Sequence, residues 1–377
     1  MSTDRTSRAW VEVSAGALRR NLRTIRERVG QDVAMIPMVK ADAYGLGLGP
    51  AVSALELEDP WGYGVAAVAE GLAVRELGID KPVVVFSPVP PDAYRAAVRA
   101  GLAVSVSDPG ALERLAGAAG ETGRPGRFHL EVDTGMGRAG FDWRTVESWA
   151  PRVAAFLEEG LRWEGCFTHF HSADAPDEAS TARQWERLLA TLEALPSPES
   201  PFLLHACNSA GSLRRPDFAA DAVRPGIFLY GGAAGEELPP PAPVAQVRAR
   251  VTFLRDAPPG TTVGYGATYA AASRERWATV GMGYGDGLPR LLSNRGHGIV
   301  RGRRVPIIGR ISMDVTVVDV TRVPGVEVGD VVTLVGRDGG EEITLEEVAG
   351  HAGTISYEIL TGLTPRLPRI WRDDDGY

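Results

Sequence analysis

The sequence predicts an α/β protein, an N-terminal (β/α)8 TIM barrel followed by a C-terminal mostly-β domain, and three observations predict it. Eight short runs rich in Val, Ile, Phe and Ala alternate with longer stretches of helical period before residue 236. Near-continuous apolar strands suit a parallel sheet covered by helices, and eight is the count of the barrel. A proline-rich connector, EELPPPAPVAQ, then introduces a region of strand-like segments separated by turns.

The predicted barrel strands are 34–39, 63–68, 82–87, 103–107, 127–133, 163–170, 202–207 and 222–226. Amphipathic stretches at 69–78, 109–120, 143–160 and 179–195 lie between them; in the last, Trp185, Leu188, Leu189 and Leu192 recur at helical spacing. An open doubly wound sheet is disfavoured, because no G-x-G-x-x-G opens a helix after the first strand. Beyond the connector, strands are expected at 246–254, 277–283, 298–308, 315–320 and 330–335, with one clear helix at 344–351. The expected division is therefore a barrel over 1–236, whose first ten or so residues can pair with the second domain, and a β domain over 237–377.

Composition narrows the function. Charged residues make up 23% of the 377-residue chain and apolar ones 44%, near the globular average, so disorder is excluded as the main state. The net charge is −8 and the basic residues are dispersed, which disfavours nucleic acid or an anionic membrane as partner. No apolar run approaches the roughly 20 residues of a membrane span, and MSTDRTSRAW does not read as a signal peptide. Two cysteines, Cys166 and Cys207, offer neither a disulfide framework nor a metal-ligand spacing, so a cytoplasmic protein without a metal is expected. Of 40 basic residues only Lys40 and Lys81 are lysines, which leaves two candidates for any chemistry that needs a primary amine.

Barrel active sites form at the C-terminal ends of the strands. Polar residues there are Lys40 on the first strand, then Glu131, Asp133 and Arg138 after the fifth. Thr168 and His169 end the sixth, His205, Asn208 and Ser209 the seventh, and Arg224 the eighth. Lys40 directly follows IPMV, and apolar surroundings disfavour the ammonium form and make an amine a nucleophile or base. Lys81, in the turn DKP, is expected to be solvent-exposed. Ser209 would open a helix, either as a plain N-cap or as part of a phosphate cradle with the backbone of Gly226 and Ile227, the usual phosphate site of this barrel. A buried lysine beside such a cradle suggests pyridoxal 5'-phosphate. A metal-dependent hydrolase is weaker, since His129, His169, His171 and His205 show no ligand constellation beyond His169-x-His171.

Nine blocks in register carry a resemblance: MVKADAYGLG (38–47), EVDTGMGRAG (131–140), FTHF (167–170), HACNSAG (205–211), VRPGIFLYG (223–231), VGYGATY (263–269), GYGDGLPR (283–290), GRISMD (309–314) and TISYEI (354–359). Together they resemble the alanine racemase family over nearly the whole chain. The resemblance implies a pyridoxal-phosphate isomerase interconverting L- and D-alanine as a homodimer with shared active sites. It implies Lys40 as the covalent attachment point and one catalytic base, and Tyr265 from the partner subunit as the other. It implies Tyr44, Ser209, Gly226, Ile227 and Tyr357 around the phosphate, Asn208 also in the cofactor site, Arg224 facing the pyridine nitrogen with His205 behind it, and His169 packed on the ring. Arg138 and Met313 would handle the substrate carboxylate, and Asp174, Tyr284, Arg290, Arg310 and Asp314 would support the site or line the substrate corridor.

Two positions depart from the family pattern. Glu131 stands where the family usually has a lysine, often carbamylated, and is expected to supply the anion that orients Arg138. Leu46 stands where histidine is typical, and is either a tolerated change outside the pocket or a sign of altered specificity. These departures leave a serine or broad-specificity racemase, or a biosynthetic enzyme such as a decarboxylase on the same scaffold, as the alternative. A non-catalytic cofactor carrier is disfavoured by the β domain and Tyr265.

Overall fold

A computed structural model describes residues 6–197 and 201–373. Eight parallel strands follow one another around a sheet: Ala34–Met35, Tyr63–Val65, Val83–Val85, Ala103–Val106, Arg127–Asp133, Arg162–Phe167, Leu203–His205 and Ala222–Val223. The last pairs in parallel with the first, and the first meets the second through Trp61 N to Met35 O (3.0 Å), Gly64 N to Pro37 O (3.0 Å) and Val39 N to Gly64 O (2.8 Å), which closes the barrel. Pro37 has no N–H to give, which cuts the first strand short of the predicted 34–39. Helices Val68–Glu76, Pro109–Thr122, Val146–Glu158 and Ala179–Glu193 fall on the amphipathic stretches. Asp108 caps the second of these, its carboxylate accepting from Ala111 N (3.0 Å).

A second sheet of nine strands forms the β domain. Its spine is the long strand Ala245–Ala257, antiparallel to Glu275–Val280, Val331–Asp338 and the N-terminal strand Ala9–Ser14. Ala9–Ser14 thus sits between that spine and the C-terminal strand Arg369–Arg372, with which it is parallel. Ser14 then caps the helix Ala15–Val29, which buries Leu18, Leu22 and Ile25 and packs on helices Leu48–Glu56 and Ser209–Arg214. The predicted 298–308 strand is a hairpin, His297–Val300 and Arg303–Ile308, turning at Arg301–Gly302 with both residues at positive φ. Besides Leu345–Ala352 the domain contains a second short helix, Ser356–Thr361. No described helix is long and apolar enough to cross a membrane.

Candidate active site

Lys40 lies just beyond the first barrel strand, and the chain then makes a turn of the wrong hand: Ala41, Asp42, Ala43 and Tyr44 all have φ between 52° and 56°. For L-residues this costs about 1–2 kcal/mol each, so the turn persists only because its surroundings hold it. Glu70 Oε1 accepts from Ala41 N (2.7 Å) and Asp42 Oδ1 from Leu48 N (2.7 Å). From the C-terminal strand, Arg369 Nε donates to Gly45 O (3.0 Å) and Trp371 Nε1 to Leu46 O (3.0 Å). Gly45 is required, since a Cβ there would come within 2.5 Å of Leu360 O. The turn swings Tyr44 back beneath the barrel mouth, stacked on Tyr230 at 4.6 Å.

A cavity of about 490 Å³ opens at that mouth. Its wall includes Lys40, Tyr44, Glu131, Arg138, His169 and Asn208, together with Ser209, Arg224, Gly226, Ile227 and Tyr357. Burial, then the charge of Arg138, pulls the Lys40 amine below its ordinary value. Lys81 is placed elsewhere and is half-buried, not free in solvent as expected, because Asp59 holds its ammonium at 2.6 Å.

Arg224 is buried at the cavity's inner end and fixed on every side. Nη1 donates to His205 Nδ1 (2.6 Å) and His205 O (3.0 Å); Nη2 donates to Thr168 O (2.9 Å) and Ala206 O (3.1 Å). Phe167 and Phe86 lie 5.1 and 5.4 Å from its guanidinium carbon. Burial pulls Arg224 down to about 10, still well above neutrality, so it remains a cation. A guanidinium only donates, which makes His205 Nδ1 an acceptor and puts its proton on Nε2. That nitrogen lies 2.8 Å from His129 Nδ1, which must accept in turn, leaving the His129 proton on a buried Nε2 without a partner. Burial and then Arg224 depress both imidazoles, His129 to about 3, and His169 is likewise held at about 3.

At the opposite end Ser209 Oγ accepts from Gly226 N (2.8 Å). The N-cap of helix Ser209–Arg214 is Asn208, whose Oδ1 accepts from Gly211 N (2.9 Å), so the plain N-cap reading of Ser209 does not hold and its hydroxyl faces Gly226. Gly226 has to be glycine here, because a Cβ would overlap the Tyr44 hydroxyl. Burial raises both nearby phenols, Tyr357 to about 12, so they are neutral donors. Amine, donor cluster and fixed cation line one cavity and match in kind the aldehyde, phosphate and pyridine nitrogen of pyridoxal phosphate, so the residues present fit that group.

Glu131 departs from expectation. It is buried and accepts from Ser107 Oγ (2.7 Å), and among the described residues it forms no ion pair with Arg138. Burial pushes its carboxyl up, against the opposing pull of the Ser107 hydrogen bond and of Arg138. Leu46 is fully buried and absent from the cavity wall, so it acts through packing and its backbone carbonyl. Searching strand ends for polar residues missed Ser107 and the Phe86 and Phe167 rings.

The remaining expected residues lie outside the cavity of their own chain. Tyr265 is 70% and Met313 52% exposed. Arg310 packs its guanidinium against Gly266, while Tyr284 N and Gly285 N donate to Ser312 O and Met313 O, which gathers Tyr265, Tyr284, Arg310 and Met313 on one face of the β domain. Asp314 pairs with Arg366 (2.6 Å), and Arg290 starts a short 3-10 turn whose Ser293 Oγ accepts from Ile311 N (3.0 Å). Asp174 is exposed near the mouth, where its charge adds to the upward push on Tyr357.

The family model for the alanine racemase N-terminal domain matches residues 13–234, and that for the alanine racemase C-terminal domain matches 244–371. The chain belongs to the alanine racemase family. An alanine racemase from Symbiobacterium thermophilum is 40% identical over 376 residues, covering 98% of this chain and 99% of that protein. The solved alanine racemase of Streptomyces coelicolor A3(2) is 36% identical, with a TM-score of 0.91 over 99% of this chain and all of that one. The Bartonella henselae alanine racemase, solved with covalently bound pyridoxal phosphate, is 28% identical with a TM-score of 0.89, over 97% of this chain and all of that one.

Proposed function

We propose that the chain interconverts L- and D-alanine with pyridoxal 5'-phosphate held at Lys40, using two bases on opposite faces of the substrate. One observation carries the reading: the cavity joins a depressed amine, a donor cluster around Gly226 and a buried arginine that cannot give up its proton. When bound, the cofactor withdraws electrons from the substrate Cα and so acidifies its proton. Lys40 Nζ, its basicity lowered by burial and then by the charge of Arg138, would take or return that proton on one face. The partner subunit's Tyr265 serves the other face, which Met313 of the partner subunit also approaches; the exposure of both residues in a single chain supports a homodimer with shared sites. Arg138, at the mouth, holds the substrate carboxylate. Arg224, a group with donors only, would face the pyridine nitrogen and leave it without a proton, which would favour return of the proton to Cα over loss of the amine. Ser209, Tyr44 and Tyr357 with the Gly226 and Ile227 amides would hold the phosphate, and His169 would pack on the ring. The two buried, unpaired cysteines suit the reducing cytoplasm, where the enzyme would supply D-alanine.

Glu131, in the cavity wall and hydrogen-bonded to Ser107, favours a second reading, a racemase of wider range that also accepts serine, or a decarboxylase. Incubating the purified holoenzyme in deuterium oxide with each amino acid separates the readings. Exchange of the α-proton of alanine with formation of its enantiomer is expected; no exchange with alanine, or release of carbon dioxide, overturns the first reading.

A further inference from the structure

Two of the six histidines lie outside the barrel and meet in the β domain. His297 opens the strand His297–Val300, and Glu347 and His351 stand four residues apart on the helix Leu345–Ala352, hence on one face. One ligand-type atom from each of the three lies within 4.8 Å of the other two, and the imidazole centroids are 5.8 Å apart. His297 Nδ1 is shut off from solvent without a hydrogen-bond partner, a condition folded proteins resolve with a water or an ion. Arg304 grips Glu347 through both nitrogens (2.6 and 2.8 Å), which keeps the carboxylate ionised but also competes for it. That competition is incomplete. A carboxylate has about four lone-pair sites, and Arg304 is held independently by Glu341 (3.0 Å).

We propose that His297, Glu347 and His351 form a binding site for a borderline divalent transition metal, Zn2+ in the first instance. Two imidazoles and one carboxylate are a nitrogen-rich donor set that suits zinc better than calcium or magnesium. Bonds of about 2.1 Å in a tetrahedron place ligand atoms about 3.4 Å apart, so the side chains need to close by up to about 1.4 Å, with water as the fourth ligand. The metal staples helix to strand. The helix also holds the end of the barrel, since Glu346 Oε1 accepts from Ala233 N (2.7 Å), and it leads through Gly353 into Ser356–Thr361, which carries Tyr357. Zinc binding therefore stabilises the fold at the junction of the two domains by mass action.

Metal-stripped holoenzyme titrated with zinc chloride in a non-chelating buffer tests this by calorimetry and thermal unfolding. One saturable site per chain and a zinc-dependent rise in Tm are expected. His351→Gln and, independently, His297→Asn should weaken binding at least about tenfold and abolish the rise. His171→Ala controls for an exposed imidazole and should change neither; Cys166 and Cys207 are buried and do not compete. Far-ultraviolet circular dichroism verifies that the metal-free variants fold. The inference is overturned if no saturable binding occurs below about 100 μM, or if both folded variants bind as the unaltered enzyme does.

Discussion

The barrel mouth and the outer face of the β domain treat their polar groups in opposite ways. At the mouth the framework is fixed by hydrogen bonds: Arg224 donates to three carbonyls and to His205, Ser209 accepts from Gly226, and an unfavourable left-handed turn is held from both domains. On the β-domain face Tyr265 and Met313 present large side chains to solvent, joined by Leu291 and Ile355. A single chain thus builds a preorganised cradle and leaves the second proposed base exposed and outside it. Preorganisation is completed within the chain and catalysis is not, which follows if the exposed face finishes the cavity of another copy.

The sharpest way to break this contrast is to remove the amine. Lys40→Ala should lower kcat by roughly 10⁴-fold or more and abolish the visible absorption of the lysine-linked cofactor, whereas Lys81→Ala, outside the cavity, should change neither. A surviving visible band would assign the attachment to another group.

Tyr265→Phe is expected to cost less, about 10²–10⁴-fold in racemisation, while one enantiomer still exchanges its α-proton through Lys40. Mixing the Tyr265→Phe and Lys40→Ala chains, dissociating and reassociating them, sharpens the comparison further. Random pairing makes about half of the dimers mixed, and each mixed dimer holds one intact site, so about a quarter of the unaltered activity should return. If mixing restores nothing while both variants form dimers, the two groups belong to the same subunit.

The legibility of the two regions differs for a physical reason. Buried parallel strands are continuous apolar runs, so all eight barrel strands and the polar residues that end them stand out in sequence. The left-handed turn does not. Ala41–Tyr44 contains no glycine, and the contacts that hold it come from Glu70, Arg369 and Trp371, up to some 330 positions away. The Ala9–Ser14 strand is likewise stabilised by pairing at long range, and Ser356–Thr361 is too short to show a helical period. The sequence points to Glu131 as the anion that orients Arg138, because charge type is visible there and the hydrogen bond from Ser107 is not. The cluster of His297 with Glu347 and His351 needs the strand and helix brought together, although the Glu-to-His spacing of four is visible in the sequence of that helix.

Acid provides the mildest and most local test of the contrast. His129 and His169 are held at about 3 and His205 well below its ordinary value, chiefly by burial, so all three are neutral in the folded barrel. Below pH 6.5 the unfolded chain binds protons there and the folded chain does not, so stability, fully present above that pH, is lost as pH falls toward 3. Each histidine contributes up to about 1.4 kcal/mol per pH unit across that window. In the β domain His297 is also lowered, by burial and then by the charge of His351 against the pull of Glu347, but it is a single half-buried imidazole against three more deeply buried ones, so a smaller loss is expected there. Hydrogen–deuterium exchange at pH 5.5 against pH 7.5 should therefore show the strands Arg127–Asp133 and Leu203–His205 losing protection before Ala245–Ala257. Equal loss in both sheets, or earlier loss in the β domain, would mean that the barrel does not keep its three imidazoles neutral and that the buried Arg224 chain is not the acid-sensitive element of the molecule.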